Sequence, residues 1–286
     1  MRFGFHLSTA GGPSRAAAEA RRLGLDCLQI FAGSPRGWKH KPPDEAQARE
    51  FRREAAQAGL DPVVVHAPYL VNLASPDRNL RRRSVRLLTS QLRAARSLGA
   101  AAVVVHPGSR GESSLARGVE RTARGVRRAL EEAEGPVECW LENTAGGGRQ
   151  LGGPLAQLAM LLEALEGRAV GACLDTAHAW GAGYRLDGVA PAARFLDRVQ
   201  ALLGLEAVKL WHLNDAAVPR GSRRDRHCRL GRGRLGVEGL RGILQEPRMQ
   251  DAALVMETPK DSPGADRRNL AFARRLVRAK AAAAPG

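Results

Sequence analysis

What most restricts the fold is a repeated unit. A short β-rich run followed by an amphipathic helical stretch recurs about every 30 to 40 residues. The runs fall at 2–5, 27–31, 62–65, 101–105, 137–141, 169–174, 207–211 and 253–256, with helical patterns between them, for example at 43–58, 80–98 and 115–133. Gly24, Gly59 and Gly99 stand where these helices should stop, the usual place for a left-handed cap. Strands alternating with helices imply parallel pairing through right-handed crossovers. Eight such units in 286 residues predict one (β/α)8 TIM barrel. The rival, an open doubly wound sheet, normally carries a Gly-rich phosphate loop after its first strand. Gly11 and Gly12 follow strand one here, but no complete G-x-G-x-x-G is present. The expected domain is residues 1–280, with 281–286 a frayed tail.

Hydrophobic residues make up 44% of the chain, enough for a sizeable core, and aromatics only 4%, so that core must rest on Ala, Val and Leu. The formal charge is +16, and Lys supplies just five of the 45 cations. A strongly basic globular chain points to a polyanionic partner, nucleic acid first and an anionic membrane second. The Arg residues are spread over many helices rather than gathered on one amphipathic stretch, which argues against the membrane. Cys27, Cys139, Cys173 and Cys228 form no C-x-x-C pair and read as free thiols in a reducing compartment. The opening residues look like a strand, not a signal peptide, and the longest apolar stretch (99–105) is far short of the roughly 20 residues of a membrane helix. A soluble cytoplasmic protein is expected.

The polar residues are the informative part. His6, His66, His106 and His212 directly follow expected strands, strands five and eight end in Glu142 and Glu257, and strand six ends in Asp175 with His178 three residues on. Asp225 and His227 lie in the loop after strand seven, and His40 has no such placement and is expected on the surface. In a barrel these positions share one address, the C-terminal mouth. A single His there is ordinarily a hydrogen-bonded structural residue, and a single Asp ordinarily caps the next helix. Those bland readings would have to hold independently at six of eight strands, always at the same end. Five imidazoles (His66, His106, His178, His212, His227) and four carboxylates (Glu142, Asp175, Asp225, Glu257) therefore converge. Four carboxylates in a small cleft require countercharge, and no Lys or Arg immediately follows a strand among them. Bound cations are the natural solution, and His plus carboxylate without thiolate suits Zn²⁺, with Mn²⁺ or Fe²⁺ as alternatives. Nine ligands are too many for one tetrahedral ion. Three ions fit if one carboxylate bridges. His6 reads equally as structural or as support for a ligand.

At these residues the chain resembles the endonuclease IV family of apurinic/apyrimidinic endonucleases. The segments that carry the likeness are H-A-P-Y-L-V-N-L (66–73), C-L-D-T-A-H (173–178), W-H-L-N-D (211–215) and G-S-R-R-D-R-H (221–227), supported by H-P-G-S (106–109) and E-N-T-A-G (142–146). The resemblance implies three Zn²⁺: one on His66, His106 and Glu142, a second on Glu142, Asp175, His212 and Glu257, and a third on His178, Asp225 and His227. It implies hydrolysis of the phosphodiester 5′ of an abasic site in double-stranded DNA, leaving a 3′-hydroxyl and a 5′-deoxyribose phosphate, with trimming of blocked 3′ ends. It also implies a monomer. Glu142, the bridging carboxylate, is the candidate catalytic group. Arg36, Tyr69 and Leu70 would wedge into the duplex, and Arg223, Arg226 and Arg110 would hold phosphates. The run Arg81-Arg82-Arg83 reads as a solvated helix face. Ala217, Arg232 and the pair Ser34-Pro35 depart from the family pattern, and Ser34-Pro35 lies in the loop that resembles its DNA-probing loop.

Two other functions share the barrel. A sugar isomerase or epimerase would need only Glu142, Asp175, His212 and Glu257 with one or two metals, and would have no use for five further ligands or a charge of +16. A non-catalytic nucleic-acid binder would be expected to have lost a ligand, and none is missing.

Overall fold

The computed structural model describes residues 1–38 and 42–281, with side chains to residue 278. His40 and the tail 282–286 lie outside the described residues. Among the described residues ten strands are formed: β1 (Arg2–Leu7), β2 (Cys27–Ile30), β3 (Val63–His66), β4 (Ala102–Val105), β5 (Glu138–Glu142), β6 (Val170–Asp175), β7 (Val208–His212), β8 (Asp215–Ala216), β9 (His227–Cys228) and β10 (Ala253–Met256). The helices are α1 (Pro13–Leu23), α2 (Glu45–Gln57), α3 (Arg78–Ser97), α4 (Leu115–Ala133), α5 (Leu155–Glu163), α6 (Thr176–Gly181), α7 (Val189–Leu203), α8 (Gly236–Leu244) and α9 (Ala265–Ala281). Eight strands close into a parallel barrel in the order β1-β10-β7-β6-β5-β4-β3-β2, and β8 pairs antiparallel with β9. This is the expected TIM barrel.

Period-two alternation sorts the strand residues into two cores. Residues facing into the barrel include Cys27, Val64, Ala102, Val104, Trp140, Cys173, Leu210, Ala253 and Val255, all buried. Those facing out, such as Phe5, Leu28, Val65, Val103, Leu141 and Leu254, meet the Leu- and Ala-rich faces of the helices. Stepping two residues further along the inward face gives His6 from Gly4, Gln29 from Cys27, His66 from Val64, His106 from Val104, Glu142 from Trp140, Asp175 from Cys173, His212 from Leu210 and Glu257 from Val255. The top layer of the barrel interior is thus polar on all eight strands.

The strand edges differ from the sequence expectation by a residue or so. Most of the polar residues expected just beyond a strand are its last members, because the ladder extends through them: His66 pairs with Val104, Glu142 with Cys173 and Asp175 with His212. The helices start and stop on local signals. Asp44, Asp77 and Ser114 accept hydrogen bonds from the first turns of α2, α3 and α4. Gly24, Gly59 and Gly99 take left-handed φ of 65°, 64° and 69° after α1, α2 and α3. Periodicity had no signal for α6, six residues long, or for the β8–β9 ladder, two residues a side. Among the described residues no helix is long and apolar enough to cross a membrane.

Candidate metal centre

Glu142 sits at the middle of the mouth, fully buried. Its Oε2 lies 3.0 Å from His66 Nε2 and 2.8 Å from His106 Nε2, and its Oε1 lies 2.9 Å from His212 Nδ1 and 3.2 Å from His178 Nδ1. Three sets of potential ligand atoms each gather within 4.8 Å: His66, His106 and Glu142; Glu142, Asp175, His212 and Glu257; and Asp175, His178 and His227. The first two are the groupings the resemblance implied. In the third, Asp175 stands where Asp225 was expected. Asp225 is nevertheless at hand, with Oδ2 3.2 Å from His178 Nε2 and Oδ1 3.1 Å from His227 Nε2. All nine residues are in one cleft.

Asp175 combines the two roles that sequence reasoning set against each other. Its Oδ1 caps α6 by accepting from His178 N (2.7 Å), while Oδ2 accepts from Asn214 Nδ2 (2.7 Å) and faces His227 Nε2 at 3.6 Å. The β8–β9 ladder sets Ala216 opposite His227 and so turns His227 back over the mouth. Behind the ladder, Asp215 accepts from the backbone N–H groups of Gly231, Gly233 and Leu235, folding the next loop onto itself.

Hydrogen bonds fix which nitrogen each imidazole offers. A carbonyl oxygen can only accept, so a ring nitrogen beside one carries the proton. His66 Nδ1 faces Ala67 O (2.7 Å), His178 Nδ1 faces Asn143 O (3.0 Å) and His227 Nδ1 faces Glu257 O (3.3 Å). Each ring therefore presents an Nε2 lone pair to the cleft. His212 is reversed: Nε2 donates to Gln29 Oε1 (2.9 Å), leaving Nδ1 toward Glu142. Such partners on the far ring nitrogen typify metal-binding histidines.

The electrostatics point the same way. Among the described residues no Lys or Arg lies within ion-pairing distance of Glu142, Asp175, Asp225 or Glu257, and the ion-pairing partners they have are histidines. Burial opposes the charge on Glu142, but His106 and His212 outweigh it and hold its carboxyl well below the usual range. Burial likewise opposes charge on His178 and His212. Neighbours raise both well above the ordinary imidazole value: Asp175, Asp225 and Glu142 for His178, and Glu257 and Glu142 for His212. His227, against the pull of burial, is raised to about 9 by Asp175 and Asp225. His227 Nε2 also makes no hydrogen bond, although Asp225 Oδ1 is 3.1 Å away. The two atoms aim past one another, as two ligands of one ion do. The donor set therefore fits divalent cations.

Comparison with known proteins places the chain in a family. Residues 17–278 match the family described as xylose isomerase-like TIM barrel. Over 280 residues the chain is 41% identical to the protein named "Probable endonuclease 4" of Nitratidesulfovibrio vulgaris, covering 96% of this chain and 99% of that one. The crystal structure of endonuclease IV from Thermus thermophilus is 38% identical and superposes with a TM-score of 0.88, covering 98% of this chain and all of that one. This chain belongs to the endonuclease IV family. A D-tagatose 3-epimerase-like protein, 20% identical with a TM-score of 0.73 and 99% coverage of both chains, shares the fold.

For an endonuclease IV relative, the residues expected to meet DNA are less uniform than the ligands. Tyr69 is 64% exposed and stands over the mouth, its ring centroid 5.7 Å from His66 and 5.8 Å from His106. Leu70 is partly buried against the core. Arg36 is exposed in the loop after β2. Arg223 and Arg226 are exposed in the loop before β9, which is tied to α6 by Arg223 N donating to Gly181 O. Arg110 turns inward to carbonyls of its own loop, Gly111 and Ser113. Of the Arg81–Arg83 run, Arg82 and Arg83 are exposed as expected, but Arg81 is half-buried, donating to Ser75 O and Pro76 O.

Sequence reasoning missed three buried amides. Gln29 joins His212 to Glu257, donating to Glu257 Oε1 at 2.7 Å. Asn143 brackets the Asp175 backbone, and Asn214 links Asp175 Oδ2 to Glu257 N. Gln29 was detectable: alternation in C-L-Q-I puts it on the same face as Cys27, and the register sets it opposite His6. His6 proves to be a supporting residue, its Nδ1 3.2 Å from Glu257 Oε1.

Proposed function

We propose that this chain hydrolyses the phosphodiester 5′ of abasic sites in double-stranded DNA, leaving a 3′-hydroxyl and a 5′-deoxyribose phosphate, and that it also trims blocked 3′ ends. Its family membership makes it a DNA-cleaving, metal-dependent hydrolase with a role in DNA repair. The finer reading rests chiefly on one observation: nine donor groups, with Glu142 at their centre and four of the five imidazoles held in a fixed tautomer, gather in one cleft of a basic chain. Three Zn²⁺ match that donor set, held by His66, His106 and Glu142, by Glu142, Asp175, His212 and Glu257, and by His178, Asp225 and His227, with Mn²⁺ or Fe²⁺ as alternatives at a position.

When bound, such ions supply Lewis-acid acidification of water and countercharge for a phosphodiester and its leaving oxygen. The protein's own part is placement. Glu142 presents one oxygen to each side of the cleft, so its carboxylate fixes the spacing between the two halves. Gln29, Asn143 and Asn214 hold the ligand side chains rigid. Tyr69, with Arg36 and Leu70, would occupy the space of a missing base, a lesion at which little stacking or pairing opposes exposure of the sugar. Arg223 and Arg226 would grip flanking phosphates. A sugar isomerase gives no reason for His66, His106, His178, Asp225 and His227 to line the same cleft.

The deciding experiment uses a duplex carrying one tetrahydrofuran abasic analogue, which resists β-elimination, beside an intact duplex. We expect cleavage only 5′ of the analogue by protein containing three metal ions. Folded protein with three ions that leaves the analogue uncut would mean another phosphoester substrate; one or two ions with no cleavage would revive the isomerase.

A further inference from the structure

A strongly cationic cavity of this barrel lies outside the mouth, between α3 and α4. It is a groove of about 290 Å³. Arg78, Arg82 and Arg86 line it from α3, each four residues from the next, with Arg81 beside them. Arg121, Arg124 and Arg128 line it from α4 at spacings of three and four. At 1.5 Å rise per residue, a four-residue step is about 6 Å, close to the separation of neighbouring phosphates on an extended strand. The two stripes face each other across a floor of Leu73, Val85 and Gly125. Gly125 matters here, because a Cβ on it would stand 3.0 Å from Leu73 Cδ2 and 3.5 Å from Val85 Cγ2. The helices meet closely below, and the guanidinium groups rim the groove above.

Little in the protein neutralises this charge. Among the described residues Glu132 is the single carboxylate in the lining, and it accepts from Arg128 Nε at 2.6 Å. Glu120 pairs with Arg124 from outside the groove. Arg81 donates to two carbonyls, Arg82 to Asn79 Oδ1 and Arg121 to Ser113 Oγ, neutral acceptors that orient the guanidinium groups without cancelling their charge. Burial together with Arg121, Arg124 and Arg78 lowers the Arg81 pKa, a mark of like charges crowded across the groove. Its position is equally informative. The loop that carries Tyr69 runs directly into the first turn of α3 at Arg78, so the groove opens at the rim of the mouth and descends the barrel wall.

We propose that the α3–α4 groove binds the phosphate backbone of a single DNA strand that leaves the duplex next to the lesion, so that the protein favours damage beside a single-stranded extension. The proposal rests on the DNA reading above for the mouth, and goes beyond it in assigning a second, separate track. A gap between two adjacent helices admits one backbone and not a duplex, and planar guanidinium forks suit phosphate oxygens.

The test compares two tetrahydrofuran duplexes, one blunt and one with a single-stranded extension of about 12 nucleotides. Binding is read by fluorescence anisotropy and cleavage is read separately. The full-length protein and its R82E/R124E variant are used, with R82Q/R124Q as a milder pair and circular dichroism to verify folding. The wild type should bind the extended duplex about tenfold more tightly at low salt. The charge-reversed protein should lose that advantage and still bind and cleave the blunt duplex like the wild type. Three results would overturn the proposal: no advantage in the wild type, an advantage retained by both variants, or equal weakening on both duplexes. Loss of binding to phosphatidylserine vesicles with no change on DNA would assign the groove to a membrane instead. The 12-nucleotide strand is also titrated alone, so a mouth that cuts nothing and a groove that binds nothing give different results.

Discussion

Two halves of the candidate metal centre are held in different ways. His66, His106, Glu142, Asp175, His212 and Glu257 stand at the ends of barrel strands, where parallel register decides their neighbours. His178 comes from a short helix, His227 from a two-residue ladder and Asp225 from the loop just before that ladder strand. Moving the first group means opening the barrel, the most cooperative part of the fold, whereas the second can shift by local opening of a hairpin. Asp225 is the exposed member of the set, its side chain 45% exposed while that of Glu142 is fully buried. We expect the strand half to be the permanent part of the candidate centre and the hairpin half to complete it.

The largest effect should come from Glu142→Gln. The change keeps the shape but removes the charge that four imidazoles share. We expect turnover on the abasic analogue to fall at least about 10³-fold, with loss of more than one metal ion per chain and with DNA binding still measurable. Wild-type turnover in this variant would sink the bridging role and, with it, the idea that the strand half dominates.

Asp225→Asn should do less, and differently. Its carboxylate touches only the two hairpin-side imidazoles, so one ion should be lost and two kept, with activity down about 10- to 100-fold. Native mass spectrometry of the variant counts the ions. In the wild type, a weak chelator should strip that same ion first. If the chelator empties the strand half first, the contrast between the halves is wrong.

This division also marks what could be read in the sequence. The strand half was legible because alternation and a repeated β-then-helix unit place its residues at one end of a barrel without knowledge of any contact. The hairpin half rested on the short spacings Asp175–His178 and Asp225–His227 and on the family resemblance, since a two-residue ladder has no periodicity to detect. The illegible part was the supporting layer. Asn143 and Asn214 lie next to or near ligands in the chain, but their partners, Asp175 and Glu257, are set by barrel closure. Arg110 looked like a phosphate contact and instead ties its own loop, because a guanidinium reaches whichever carbonyls the backbone supplies.

Gln29 tests whether that supporting layer matters to the strand half. Gln29→Leu removes the acceptor that keeps the proton on His212 Nε2 and the donor to Glu257. We expect metal affinity at the strand-held positions to drop about tenfold, with the hairpin-held ion unaffected. Competition with a zinc-sensitive dye measures both. An equal drop at every position would mean that the substitution disturbs the barrel as a whole.

The smallest signal comes from the thiols, which sample both regions. Cys27, Cys139 and Cys173 lie on barrel strands, and burial pushes each up to about 12. Cys228, beside His227 in the hairpin, is half-buried and is pushed up to about 11, by burial first and by Asp215 second. The thiolate is the reactive form, so at neutral pH all four should be slow toward iodoacetamide. They should differ in how they become reactive. Cys228 needs only the hairpin to open, so its alkylation should proceed in native buffer and slow when metal is added, because an ion on His227 closes that opening. The three strand thiols need global unfolding, and their labelling should track the denaturation curve. Labelling of Cys173 together with Cys228 in native buffer would show that the two regions open as one unit, and the distinction between a fixed half and a completing half would then be lost.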